Sequence, residues 1–303
     1  MKFTGKGGIT ATIIQDSICN GKRITTFELD YPRFIHSELM THRQFSRNAA
    51  SSRAIPIEKM HEHIKLNTAV PIHWGINQAG MQAKEELQGL ELRGAKSIWN
   101  AACNEILCWS KSLAGARLHK QIANRITEPF QMMKTVVTAT EWDNWYWLRD
   151  HEDAQPEIAE LAKMMHNCHE ASIPQEIHPG QWHVPYVTRT FIGDDISYYV
   201  DNARISVEDA RMVSASCCAQ VSYRKSDDSL EKARMIFDRL INSVPCHASP
   251  VEHQASPMIT NCDSWGQLPW EDGITHMDRK GKFWSGNFKG WIQFRQLIPN
   301  NSK

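Results

Sequence analysis

Residues 41–53, THRQFSRNAASSR, gather His42, Arg43, Ser46, Arg47, Asn48, Ser51, Ser52 and Arg53 around two small residues, Ala49 and Ala50. Arginine presents a planar fork that matches phosphate oxygens. Serine hydroxyls add short hydrogen bonds, and small residues let backbone N–H groups approach an anion. The segment reads as a phosphate cradle, although from composition alone a solvated helix end with a polar loop explains it too. The densest metal-type grouping is His166, Cys168 and His169. It lies at the end of an amphipathic helix with no second pair to complete four ligands, so no metal is expected.

The elements that must position the cradle begin with two strands, residues 10–17 and 23–30, rich in Ile and Thr and joined at Asn20-Gly21, which suits a tight hairpin turn. Asp30 then caps a helix with Pro32 in its first turn and Phe34, Ile35 and Leu39 on its apolar face, delivering residues 41–53 to a loop. A long helical pattern over 91–114 carries Ile98, Ala102, Ile106 and Trp109, and a shorter one runs from His119 to Ile126. Ile158, Leu161, Ala162 and Met165 follow helical spacing. Asp228 with Glu231 makes a capping box before Leu230, Ala233, Phe237 and Leu240. Residues 172–190, with Pro174, Pro179, Gly180 and Pro185, read as a linker or, the commoner case, a covering loop. The last forty residues show no clear order.

Composition excludes some classes. Of 303 residues, Lys plus Arg and Asp plus Glu each total 34, so no overall field holds a nucleic acid or a membrane surface. A small anion still needs only local arginines. The start, MKFTGKGGITATIIQDS, lacks a secretory apolar core, and no run of about 18 apolar residues occurs, so a cytoplasmic protein is expected. Eight cysteines without C-x-x-C pairs read as reduced thiols.

The spacing within residues 41–53 resembles the signature R-H-R-x-x-S-x-N-x-x-S-x-R of flavin-dependent thymidylate synthases. His42, Arg43, Ser46, Asn48, Ser51 and Arg53 match, and Thr41 replaces the first Arg. The resemblance extends to TFELDYPRFIHSELM before the signature, to Arg125 in KQIANRIT, and to the N-x-x-x-x-R interval of Asn144 and Arg149 in DNWYWLRDHEDAQPEI. The longer wording HSELMTHRQFSRNAASSRAIP is most similar to members encoded by bacteriophages. Two family pieces that normally precede the signature resemble QVSYRKS at 220–226 and HASPVEH at 247–253, at the other end of this chain. The expectation is a circularly permuted fold in one domain, residues 1–303. Residues 1–171 supply the signature and helical part, and residues 191–303 supply the displaced part. Neighbouring termini make such a rearrangement physically reasonable.

What the resemblance implies is an α+β fold, a mixed sheet with surrounding helices, and a homotetramer with shared sites. It implies FAD reduced by NADPH, with methylenetetrahydrofolate supplying one carbon to C5 of a nucleotide such as dUMP. His42, Arg43, Asn48, Asn144, Ser222, His247, Ser249 and Glu252 would bind FAD. Glu38, Thr41, Ser51, Ser52, Arg53, Arg125 and Arg149 would hold the nucleotide, with Arg149 and Ser51 at the reacting centre. A fixed cation at Arg149 favours charge developing on the pyrimidine carbonyl. Thr41 and Glu38 leave open a cytosine nucleotide, or hydroxymethyl in place of methyl, since glutamate accepts from an exocyclic amine. A nucleotide-binding homologue without catalysis is the alternative from another class. Pro245, Cys246 and His247 also resemble the P-C-H site of folate-dependent thymidylate synthases, where a thiolate attacks the base. Such a thiolate needs nearby cations.

Overall fold

A computed structural model describes residues 1–222, 229–259 and 270–302. Strands β1 (Lys2–Thr4), β2 (Thr10–Cys19) and β3 (Lys22–Pro32) open the chain, followed by α1 (His36–Leu39) and β4 (Ser46–Ala49). Helices α2 (Ile57–Leu66), α3 (Gly89–Gly115) and α4 (Lys120–Ala123) lead to β5 (Met132–Ala139), α5 (Asp143–Arg149) and α6 (Pro156–Ala171). Then come β6 (Gln175–Glu176), β7 (Thr188–Ile192), β8 (Asp195–Val200), β9 (Ala203–Ile205), α7 (Val207–Ala219) and α8 (Leu230–Ile241). Short strands β10 (Ala255–Pro257), β11 (His276–Met277), β12 (Phe283–Ser285), β13 (Phe288–Lys289) and β14 (Trp291–Gln293) follow. The class is α+β.

The main sheet has the order β1-β2-β3-β5-β4 with antiparallel neighbours, and β6 joins the end of β2 in parallel. That one parallel pair makes it mixed. Asn20 and Gly21 both take positive φ, 48° and 73°, the backbone that a two-residue hairpin between twisted strands requires. Phe27, Leu29 and Tyr31 of β3 and Val137 and Ala139 of β5 face one side. There they meet Ile158, Leu161, Ala162 and Met165 of α6. Pro156 opens α6 and the Gln155 side chain accepts from the Ile158 N–H, so the helix starts where its apolar stripe begins. Each of those large side chains contributes about 1.5–3 kcal/mol by burial.

The opposite face carries polar residues such as Thr26 and Thr138, yet it too is covered. Residues 177–187 lie against it, with Ile177, His183 and Val184 fully buried, and His183 exchanges backbone hydrogen bonds with Ala255. Of the two readings of residues 172–190, the structure shows the covering loop. This face therefore has to satisfy its hydroxyls internally, a demand met by histidines.

Several local expectations are corrected. Asp30 caps no helix: it stays in β3, paired with Thr10 and Lys134, and a 3-10 turn over Arg33–Ile35 follows Pro32 without a side-chain cap. Pairing of β3 with β5 already engages that backbone. Ile35 and Leu39 are buried as expected. In α3 the buried face is Cys103, Leu107 and Ser110. Trp99 and Ile106 pack beside it, against Met60 and Ile64 of α2 and against Phe130. Ile98 and Trp109 lie outward, 72% and 59% exposed. The helix has apolar residues on more than one face, and α2 selects the face of Cys103 and Leu107. The pattern over 119–126 divides into α4 and a 3-10 helix from Arg125 containing Pro129, which lacks an N–H donor. Helix α8 is capped by Ser229, whose Oγ accepts from the Lys232 N–H; Asp228 lies outside the described residues. Its Ala233 is buried. Near the end of α6, His166 pairs with Asp150, the Cys168 thiol meets the Ala11 carbonyl, and His169 meets Thr25, so the three side chains diverge. No helix among the described residues is long and apolar enough to cross a membrane.

Candidate functional site

The centre of the arginine-rich segment is strand rather than loop. Ser46–Ala49 forms β4, in register with Thr135–Thr138 of β5. A strand turns alternate side chains inward, and the Ser46 side chain is buried against Asn287 and Gln293. From the same strand, the Arg47 guanidinium turns back to the carbonyls of Met40 and His42, each at 2.9 Å, and so closes the end of α1. Thr41 Oγ1 donates to the Glu38 carbonyl at 2.7 Å. These bonds fix the turn that displays Glu38, Thr41 and His42.

Arg149, at the end of α5, reaches all three. Its Nε donates to His42 Nε2 at 3.1 Å, its Nη2 reaches Thr41 Oγ1 at 3.5 Å, and its Nη1 lies 3.7 Å from a Glu38 carboxylate oxygen. The His42 ring stands edge-on to Trp145, centroids 4.6 Å apart. Burial, with the charges of Arg149 and Arg47, pushes the His42 pKa down to about 4. The ring is therefore neutral near pH 7, its Nε2 an acceptor for Arg149 and its proton on Nδ1. A cation held in this way keeps its direction without losing its charge.

A second group centres on Glu128. It receives Arg33 at 2.9 Å and the Ser52 hydroxyl at 3.1 Å, with Arg125 at 3.7 Å. Ser52 and Arg125, expected at the nucleotide, are brought together through this carboxylate. Glu128 and Arg33 were not anticipated. The i, i+3 spacing of Arg125 and Glu128 was the one available signal. Arg43 and Arg53 are exposed on the segment, as is Asn144 on α5.

The end of the chain returns to this place. The Ser51 N–H donates to Ser222 Oγ at 2.8 Å. The Asn48 amide lies against the Ser249 carbonyl and His253 Nε2. Cys218 and Val221 pack on Val136 and Ala50. Glu252 pairs with Arg295; burial raises its pKa against the lowering effect of Arg295 and Arg47. His247 is exposed, its N–H bonded to the Leu240 carbonyl. Cys246 packs beside the apolar cluster of Ala215, Ala248, Val251 and Ile298. Tyr223 to Ser226 of the QVSYRKS piece lie outside the described residues. Asn287 and Gln293, which support Ser46, and Arg295, which holds Glu252, were also missed, because they fall in the stretch that shows no periodic pattern.

Three comparisons bear on this arrangement. No curated protein matches the chain significantly. Among solved structures, a UMP/dUMP methylase PolB from Streptomyces cacaoi, bound with 5-Br dUMP, is similar with a TM-score of 0.38 and 19% identity. The match covers 48% of this chain and 66% of that one, just under two thirds of its length. A family model described as thymidylate synthase complementing protein matches residues 23–175, half of the chain, and spans β3, the signature, Arg125, α5 and α6. The chain accordingly belongs to the thymidylate synthase complementing protein family, Thy1.

Proposed function

We propose that this protein is a flavin-dependent enzyme that methylates a deoxypyrimidine nucleotide at C5, dUMP to dTMP, using methylenetetrahydrofolate and FAD reduced by NADPH. The observation that carries the reading is the convergence of Arg149 on His42, Thr41 and Glu38. Exposed Arg43 and Arg53 lie on the same segment. Two exposed cations, a fixed third and neighbouring Ser51 and Ser52 are the donor set that a phosphorylated nucleotide and the phosphates of FAD require. FAD, when bound, supplies hydride chemistry.

The chain's own task is positioning. Arg53, Arg125, Ser51 and Ser52 hold the nucleotide phosphate, and the guanidinium of Arg149, kept in place by neutral His42, stabilises negative charge on the pyrimidine carbonyl. Arg43, Asn48, Asn144, Ser222, His247 and Ser249 hold the flavin, while Glu252, engaged by Arg295, shapes their support. Glu38, close to Arg149, is the residue most exposed to the choice between uracil and cytosine. A carboxylate at Glu38, which accepts from an exocyclic amine, favours dCMP methylation or hydroxymethylation as the second reading.

A circular permutation accounts for the contacts of Ser222, Ser249 and His253 with the signature: segments far apart in sequence complete one site. Exposure of Arg43 and Asn144, and of Ile98 and Trp109 on α3, supports a homotetramer with shared sites. The long match in wording around the signature supports a bacteriophage-type member acting in the host cytoplasm.

The test is direct. Purified protein should show flavin absorbance near about 450 nm, and incubation with dUMP or dCMP, folate donor and NADPH should yield a product one methyl heavier by mass. Protein that binds dUMP but takes up no FAD would be a nucleotide-binding homologue without catalysis, and the proposal would fall.

A further inference from the structure

A single file of hydrogen bonds crosses the covered polar face of the main sheet and ends at the signature. Arg189 Nη1 of β7 lies 3.1 Å from Ser17 Oγ of β2, which lies 2.8 Å from His183 Nδ1. His183 Nε2 is 2.8 Å from Thr26 Oγ1 of β3, and that hydroxyl is 2.7 Å from its cross-strand partner Thr138 Oγ1 of β5. Thr138 is 2.8 Å from His253 Nδ1, and His253 Nε2 is 3.3 Å from the Asn48 amide. Ser17, Thr26, Thr138, His183 and His253 have no exposed surface. Water therefore competes for none of these bonds.

Such a file has a direction. A hydroxyl donates one proton, and a neutral imidazole has one donor and one acceptor nitrogen, so reversing any member reverses those linked to it. Burial keeps both rings neutral: it lowers His183 well below the usual histidine range and His253 to about 3. The end at Asn48 decides the direction. The amide branch facing His253 is also 2.9 Å from the Arg47 carbonyl oxygen and 3.1 Å from that of Ser249. Two carbonyl oxygens, which can only accept, face it, so this branch is the NH2. His253 Nε2 is then bare and its proton is on Nδ1, donating to Thr138. Thr138 donates to Thr26, Thr26 to His183 Nε2, and His183 Nδ1–H to Ser17. The Ser17 oxygen has lone pairs for both His183 and Arg189.

We propose that His253 and His183 are positioning residues, locked as Nδ1–H tautomers in one cooperative relay that holds the Asn48 amide with its nitrogen inward and its oxygen turned to the ligand side. Only the final step, that this oxygen receives a donor from the bound flavin, rests on the function proposed above. Thr26 and Thr138 are the coupling elements, since the hydrogen bonds that join the two rings run through them. Asn48 and Arg189 of β7 are thus linked across the sheet by one direction of donors.

The test begins without any ligand. Nitrogen-15 NMR of labelled histidines in the apo protein, assigned by single replacements, should show protonated Nδ1 and bare Nε2 for both rings. In Thr138→Val, His253 should keep its tautomer, held by Asn48, while His183, released to the Ser17 and Arg189 end, should shift toward Nε2–H. Thr138→Ser should restore the wild-type pattern and guard against a misfolded variant. A wild-type His253 with its proton on Nε2, or a His183 signal unchanged in Thr138→Val, would overturn the relay. FAD titration then tests positioning: in Thr138→Val the His253 ring keeps its tautomer but loses its Nδ1 anchor behind Asn48, so binding should weaken about three- to tenfold, the worth of one hydrogen bond, and recover in Thr138→Ser. Equal FAD affinity in all three proteins would overturn the positioning role. If wild-type protein takes up no FAD, the proposed function fails, while the tautomer result still decides whether the relay exists.

Discussion

Acidification from pH 7.5 to 5.5 should destabilise this protein steeply, for a reason visible in its buried histidines. His42 and His169 are held down to about 4 and His253 to about 3, each chiefly by burial. In the unfolded chain each returns to about 6.5. Since the folded values are lowered, the unfolded state binds more protons between these limits. The stabilisation is complete above pH 6.5 and is lost as the pH falls from 6.5 toward 4, and toward 3 for His253. Between pH 6.5 and 5.5 each group costs about 1 kcal/mol, together about 3 kcal/mol, with His183 acting in the same direction. That is a large part of a typical stability of about 5–15 kcal/mol. The raised pKa of Glu252 opposes the trend at the acid end, because the folded state then gains a proton. Urea unfolding followed by tryptophan fluorescence at pH 7.5, 6.5 and 5.5 measures the effect. His253→Gln should flatten the pH dependence by about 1 kcal/mol between pH 6.5 and 5.5. Stability that does not change over this range, or an identical slope in His253→Gln, would refute the reasoning.

Other perturbations separate the roles within the site. Arg149→Met should weaken nucleotide binding about tenfold or more, the scale of a charged hydrogen bond; calorimetry showing equal affinity would count against its contact with the nucleotide. Arg53→Ala should lose nucleotide affinity while FAD uptake, read by absorbance, is retained. Glu38→Gln should shift the ratio of dUMP to dCMP turnover, scored by product mass, whereas an unchanged ratio would remove Glu38 from base selection. Glu252→Gln strips Arg295 and Arg47 of a buried counter-charge and should cost about 3 kcal/mol in urea unfolding. A loss below about 1 kcal/mol would mean that the pair is effectively solvated.

Much of the local architecture was legible because its causes are local. Asn20-Gly21 announced the hairpin, and the spacing of Ile158, Leu161, Ala162 and Met165 announced α6 with its buried stripe. Asp30 misled because capping chemistry and strand chemistry use the same residue, and pairing with β5 decided between them. The stripe of α3 misled for a related reason: two helical faces were apolar, and only the position of α2 chose one. In the candidate site, His42 stood out by type and spacing, whereas Glu38, Thr41 and Arg149 entered through the family resemblance. Glu128, Arg33, Asn287, Gln293 and Arg295 carried no pattern, since their importance comes from what they touch.

The arginine-rich segment shows the division most plainly. Sequence by itself determined that residues 41–53 present cations, hydroxyls and small side chains at the intervals of a known signature, because side-chain chemistry and spacing are properties of the chain alone. Tertiary structure decided that its centre, Ser46–Ala49, is strand, that Arg47 bonds the carbonyls at the end of α1, and that Arg149 fixes a neutral His42. It also decided that Ser222, Ser249 and His253 reach Ser51 and Asn48 across some 170 to 205 residues of chain. Burial, charge proximity and hydrogen-bond direction depend on which distant segments meet, and local propensity encodes none of them.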